Sequence, residues 1–193
     1  MKKFTILTLF TAFLLVGVTA NAQEQGMIRA SAGLALGTKA AIDESGTKAG
    51  IGINIGAEYL ITDNISIAPS YTFFFKSEFD TPDGFGGNVT SSNQFGSFNI
   101  DGRYYFGDGD MELYGLFGIG IVSNSFEQSG DDGFGGTVTI DGSDSETGLN
   151  IGGGINYPLS DALFLNGQIK YNTVDIDGGQ IVINAGVAFS FGG

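Results

Sequence analysis

Six charged residues interrupt stretches that are otherwise apolar or small: Arg29, Glu58, Asp101, Arg103, Glu112 and Lys170. Acids and bases sharing a water-poor compartment can relay protons, gate a solute or neutralise one another as ion pairs, and their placement decides which. Catalysis by a histidine base is excluded, because the sequence holds no His. With no Cys there is no thiolate nucleophile, thiolate metal site or disulfide. Asp131-Asp132 is a carboxylate pair, but Gly130 and Gly133 flank it, and it reads as a solvated turn. No catalytic residue, cofactor or metal site is expected, and the six charges read as a structural network of ion pairs.

A second feature is a near-repeat, DGFGGNVT at Asp83–Thr90 and DGFGGTVT at Asp132–Thr139. A phosphate cradle is excluded, since neither copy leads into a Lys or a helix start. Calcium is a weighed alternative, because acids such as Asp43, Glu44, Glu78, Asp80, Glu127, Asp144 and Glu146 crowd the same regions, yet the spacing of a helix-flanked calcium loop is missing. The chemistry of Asp-Gly and Gly-Gly beside Val-Thr alternation is that of a hairpin tip. The Phe of each copy, Phe85 and Phe134, is placed to pack the two tips together.

These side chains must be positioned by strands. Lys2-Lys3, the apolar run from Phe4 to Val18 and Ala20-Asn21-Ala22 form a secretory signal peptide over residues 1–22, leaving 23–193 as one domain. No later segment approaches the roughly 20 apolar residues of a helical span. Instead, eight segments alternate with period two: 26–37, 49–60, 65–75, 95–106, 111–122, 147–157, 163–173 and 180–191. In the second, Ile51, Ile53, Ile55, Ala57 and Tyr59 share one face, and Gly52, Asn54, Gly56 and Glu58 the other. A water-facing strand surface would carry Lys, Glu and Thr. This less apolar face is mostly Gly, Asn, Ser and Ala, which suits a crowded lumen, so the apolar face turns to lipid.

The connections alternate long and short: 38–48, 76–94 and 123–146 are long, while 61–64, 107–110 and 158–162 are short. The expected fold is therefore all-β: an eight-stranded, antiparallel, up-and-down transmembrane β-barrel with short periplasmic turns and longer extracellular loops. Tyr59, Tyr104, Phe106, Tyr157, Phe189 and Phe191 fall near the periplasmic rim, and Tyr71, Phe73, Phe75, Phe95, Phe98 and Tyr171 near the outer one, as two girdles. All six charges fall on the lumen face. Arg29 lies opposite Glu58 across the first hairpin, and Arg103 diagonally from Glu112 across the second tight turn.

In these respects the chain resembles the small outer-membrane β-barrels of Gram-negative bacteria, similar to the outer membrane protein A barrel and the porin-like barrel proteins. The resemblance implies residence in the outer membrane, contact with its lipid and lipopolysaccharide, delivery by the barrel-assembly machinery and a monomeric state. Members of this group usually end on an aromatic residue, whereas here Gly192-Gly193 follow Phe191, and no further domain is expected. Eight Lys+Arg against 21 Asp+Glu make nucleic acid an excluded partner. The leading reading is a non-enzymatic barrel with a side-chain-plugged lumen and a structural or adhesive surface role. The first rival is a narrow porin-like channel, for which the lumen glycines Gly52, Gly56, Gly118, Gly120, Gly152 and Gly154 would leave a water path. The second is a soluble lipocalin-like barrel holding a ligand, which needs the alternation inverted.

Overall fold

Alternating side chains give each strand one apolar and one small or polar face, and a sheet with such faces is stable in a bilayer only if it closes and leaves no unpaired edge. The protein, described here by a computed structural model, does close. The structure describes residues 25–84, 87–106, 111–131, 134, 136–174 and 178–191. The expected signal peptide and the 107–110 turn lie outside the described residues.

Among the described residues there are nine strands: β1 Ile28–Asp43, β2 Gly46–Leu60, β3 Ile65–Phe74, β4 Ser77–Pro82, β5 Asn88–Phe106, β6 Glu112–Asp131, β7 Thr137–Pro158, β8 Leu163–Asn172 and β9 Gln180–Phe191. Among the described residues every pairing is antiparallel, and β1 pairs with β9 from Ile28↔Phe191 to Gly37↔Val182, which shuts the ring. β3 and β4 both run along β5, β3 beside its periplasmic half and β4 beside its outer half. The ring thus has eight walls, with β4 extending the third.

The outer connections are mostly ladder. β6 and β7 stay paired from Glu112↔Asn156 to Asp131↔Thr137, far beyond the expected end at residue 122. β1 reaches Asp43, after a register shift between Gly37 and Ala41. Continuing the ladder satisfies backbone groups that an irregular loop would leave to water. In chain order the two DGFGG copies fall between the paired strands β4 and β5 and between β6 and β7. The expected contact between tips involves Phe85, which lies outside the described residues. On the periplasmic side, Thr62 Oγ1 accepts the Asn64 and Ile65 amides at 3.3 and 3.0 Å and closes the 61–64 turn.

The faces are sorted as a membrane barrel requires. Ile51 is 56 % exposed and Ile183 44 %, whereas Arg29 is 1 % exposed. The lipocalin-like reading is corrected by this: its apolar face would have to point inward, and here isoleucines from β2, β6, β7 and β9 line the exterior. The girdle assignment needs one correction. Phe95 is buried in the lumen, because it and Phe98 stand three residues apart on one strand and must face opposite sides.

Candidate functional site

Curvature decides what the inward residues meet. In an eight-stranded ring the lumen is only as wide as its own side chains, so long ones converge on the axis and reach past their strand neighbours. Arg29 and Glu58 are register partners on β1 and β2, yet they do not bond each other. Arg29 crosses to Glu112 on β6, the wall diametrically opposite β1, with Nη1 to Oε2 at 2.6 Å and Nη2 to Oε1 at 2.7 Å. This two-point fork is the strongest geometry available to the pair. Its Nε donates to Ser190 Oγ at 3.0 Å, and the guanidinium lies 4.7 Å over the Phe164 ring.

Glu58 is taken up by other donors. Arg103 Nη1 reaches Oε2 at 2.9 Å, Tyr105 donates to Oε1 at 2.6 Å, and the Ser66 hydroxyl donates there too. Arg103 also donates to Gln168 Oε1 at 3.0 Å and stacks 4.6 Å over the Tyr114 ring. The expected neighbour pairs, Arg29 with Glu58 and Arg103 with Glu112, are thus exchanged: the β5–β6 register sets Arg103 against Leu116, four residues from Glu112, and Tyr105 and Tyr114 stand between them with ring centroids 5.3 Å apart.

One level outward, Lys170 Nζ lies 3.1 Å from Asp101 Oδ2. A ladder of amides completes this level: Asn150 donates to Asp101 Oδ1 at 2.7 Å and to Asn99 Oδ1 at 3.0 Å, and Asn172 donates to Asn150 at 2.6 Å. The outermost layer is apolar, made of Ala35, Phe74, Phe95, Val122, Val174 and Val182. All six sequence-chosen charges therefore lie in the lumen, in three separate ion pairs. Sequence reasoning missed Tyr105, Tyr114, Asn99, Asn150, Asn156 and Gln168, although the parity that turns Arg103 inward turns Tyr105 inward as well.

The lumen glycines are not gaps. A Cβ at Gly120 would stand 2.6 Å from both Asn172 Nδ2 and Asn99 Oδ1, one at Gly154 would strike the Tyr114 ring, and those at Gly52, Gly118 and Gly152 would meet the adjacent strand's backbone. These are points where the wall bends tightly or a neighbour's side chain lies across it. Both amide atoms of Asn184, Gln180 Oε1 and Arg103 Nε are buried with no hydrogen-bond partner among the described residues.

Chemically, the arrangement can strut opposite walls. At the outer tip of the first hairpin, the Ser45 amide, 2.8 Å from Asp43 Oδ1, and then Lys48 hold the Asp43 carboxyl below its ordinary range. Among the described residues no cluster of three or more acids converges to hold a metal ion.

Residues 8–191 match the family model described as the outer membrane protein beta-barrel domain. No curated protein matches the chain significantly. Among solved structures, OprG from Pseudomonas aeruginosa is similar with a TM-score of 0.61 and 11 % identity, over 89 % of this chain and 99 % of that one. Ail, the attachment invasion locus protein of Yersinia pestis, in complex with the heparin analogue sucrose octasulfate, gives 0.57 and 19 %, over 86 % and 99 %. A major outer membrane protein from Thermus thermophilus gives 0.55 and 16 %, over 86 % and 99 %. At these identities the likeness is one of fold.

Proposed function

The chain belongs to the outer membrane protein β-barrel domain family, and from that premise we propose that it is a non-enzymatic barrel with a closed lumen, whose acidic outer hairpins do structural or adhesive work at the cell surface. The observation that carries this reading is the Arg29–Glu112 pair, which spans the full ring with Glu58–Arg103 beside it. A charge left unpaired in such a space is costly, so the paired state is strongly favoured over an open one. The apolar layer around Phe74 and Phe95 adds a second barrier, because ions do not shed water into it. The outward apolar face meets lipid and lipopolysaccharide, and the closed ring suits a monomer delivered by the barrel-assembly machinery.

The surface role follows charge. Ail was crystallised with a heparin analogue, and a sulfated ligand of that kind would be repelled here by Asp43, Glu78, Asp80, Glu127, Asp141 and Asp144. A partner of this chain is cationic or neutral.

Conductance tests the closed lumen. The mature protein in planar bilayers should give no steady single-channel steps, and steady steps from the unmodified chain would overturn the reading. A narrow channel is the second reading. It is favoured by Asn184, whose amide has no partner among the described residues although the residue is only 5 % exposed, since such a group implies water nearby.

A further inference from the structure

Above the apolar layer, between the first hairpin and the outer ends of β5, β6 and β7, lies a cavity of about 190 Å³. Its floor is Ile42, Phe95 and Val122, the last two buried. Its rim is acidic: Glu146 pairs in register with Val122 and Asp144 with Asn124, so both carboxylates share Val122's inward face. Among the described residues neither carboxylate forms an ion pair, and Asn124 Oδ1 is buried without a donor.

We propose that this outer vestibule binds a small organic ammonium, its apolar body on Ile42, Phe95 and Val122 and its charged head between Asp144 and Glu146. The chemistry selects that class. An ammonium brings three N–H donors to a site that offers two carboxylates and an orphan amide oxygen. An anion would meet two like charges. A neutral apolar molecule would make no use of the two carboxylates, and a bare metal ion would waste the apolar floor and find too few ligands. The volume is below that of a drug-sized pocket, so the body is no larger than about one ring. A free aryl or alkyl amine and the lysine side chain of a partner protein share this chemistry. The site stands whether or not the lumen conducts.

The test is a titration of the mature protein in lipid nanodiscs, followed by the NMR signals of Ile42, Phe95 and Val122. Benzylamine is the probe and benzyl alcohol its neutral match. The variant Asp144→Asn/Glu146→Gln changes exposed groups on a hairpin beyond the membrane, and heat-modifiable gel migration checks that it is folded. Saturable shifts with benzylamine, at least about tenfold weaker in the variant and for benzyl alcohol, are expected, a ratio matching the loss of a charge-assisted hydrogen bond. Equal response to benzyl alcohol, undiminished affinity in the folded variant, or no shift at those residues overturns the proposal. Competition by Nα-acetyllysine amide assigns the head to a protein lysine, and its failure while benzylamine saturates assigns it to a free amine; both uphold the site.

Discussion

Lys170 Nζ lies 3.1 Å from Asp101 Oδ2, on strands three walls apart, and each side chain is only 2 % exposed. Removing one partner leaves a buried charge with no counter-ion. Lys170→Met should therefore cost about 3–5 kcal/mol. Lys170→Met/Asp101→Leu removes both charges and should recover most of that loss. Urea unfolding of vesicle-inserted protein measures both, and equal destabilisation by the single and double variants would show that the pair is not what holds this level together.

The exchange of partners at the periplasmic end can be weighed by double-mutant cycles. Arg29 and Glu112 share two hydrogen bonds, whereas Arg29 and Glu58 share none. The Arg29→Met/Glu112→Gln cycle should give a coupling in the upper part of the roughly 0.5–3 kcal/mol range for networked residues. The Arg29→Met/Glu58→Gln cycle should give less, carried through space and by Tyr105, which lies 3.5 Å from Arg29 Nη1 and 2.6 Å from Glu58 Oε1. A larger coupling for the register neighbours would mean that strand adjacency governs the network.

That contrast marks what was legible in the sequence. Period-two alternation told lipid face from lumen face for Ile51 and Glu58 alike, because it depends only on the pleat. The pairing of Arg29 with Glu58 in the first hairpin was legible only as an approximate centre near Asp43–Glu44: the tip pair is Asp43 with Gly46, and the register shift between Gly37 and Ala41 is what sets Arg29 against Glu58. Contacts through the lumen were not, because they depend on how far each strand is staggered when the ring closes, a quantity no single hairpin carries. Phe95 was misplaced by treating aromatics as a class when parity already separated it from Phe98. The long ladders of β6 and β7 escaped notice because Ser, Thr, Asn and Asp beyond residue 122 weaken the apolar half of the alternation.

The lipid face makes a depth-dependent prediction. Ile100 points outward between Phe98, toward the outer girdle, and Tyr104, toward the periplasmic one, and so sits near mid-membrane. Ile100→Arg should cost about 2–4 kcal/mol, the range for a cation at the bilayer midplane of a barrel. Ile140 is equally apolar but lies on the β6–β7 extension, where Ile140→Arg should cost about 0–1 kcal/mol. Urea midpoints in vesicles separate the two, and similar costs at both positions would remove the bilayer from the explanation.

Glycine substitutions test how tightly the wall is bent. A Cβ at Gly152 would fall 2.7 Å from Lys170 Cα and closer still to the Ile169 carbonyl oxygen, and backbone cannot step aside as a side chain can. Gly152→Ala should destabilise the barrel by about 1–3 kcal/mol, the cost of overpacking a filled space. At Gly167 the nearest atom is Ile155 Cγ2 at 3.5 Å, ordinary contact, and no strained φ is required. Gly167→Ala should be neutral or stabilising by up to about 1 kcal/mol, since it narrows the unfolded chain's freedom at no steric cost. If Gly152→Ala were as well tolerated as Gly167→Ala, judged by unfolding midpoint and by heat-modifiable migration, the wall would have room there, and the narrow-channel reading would gain at the expense of the closed lumen.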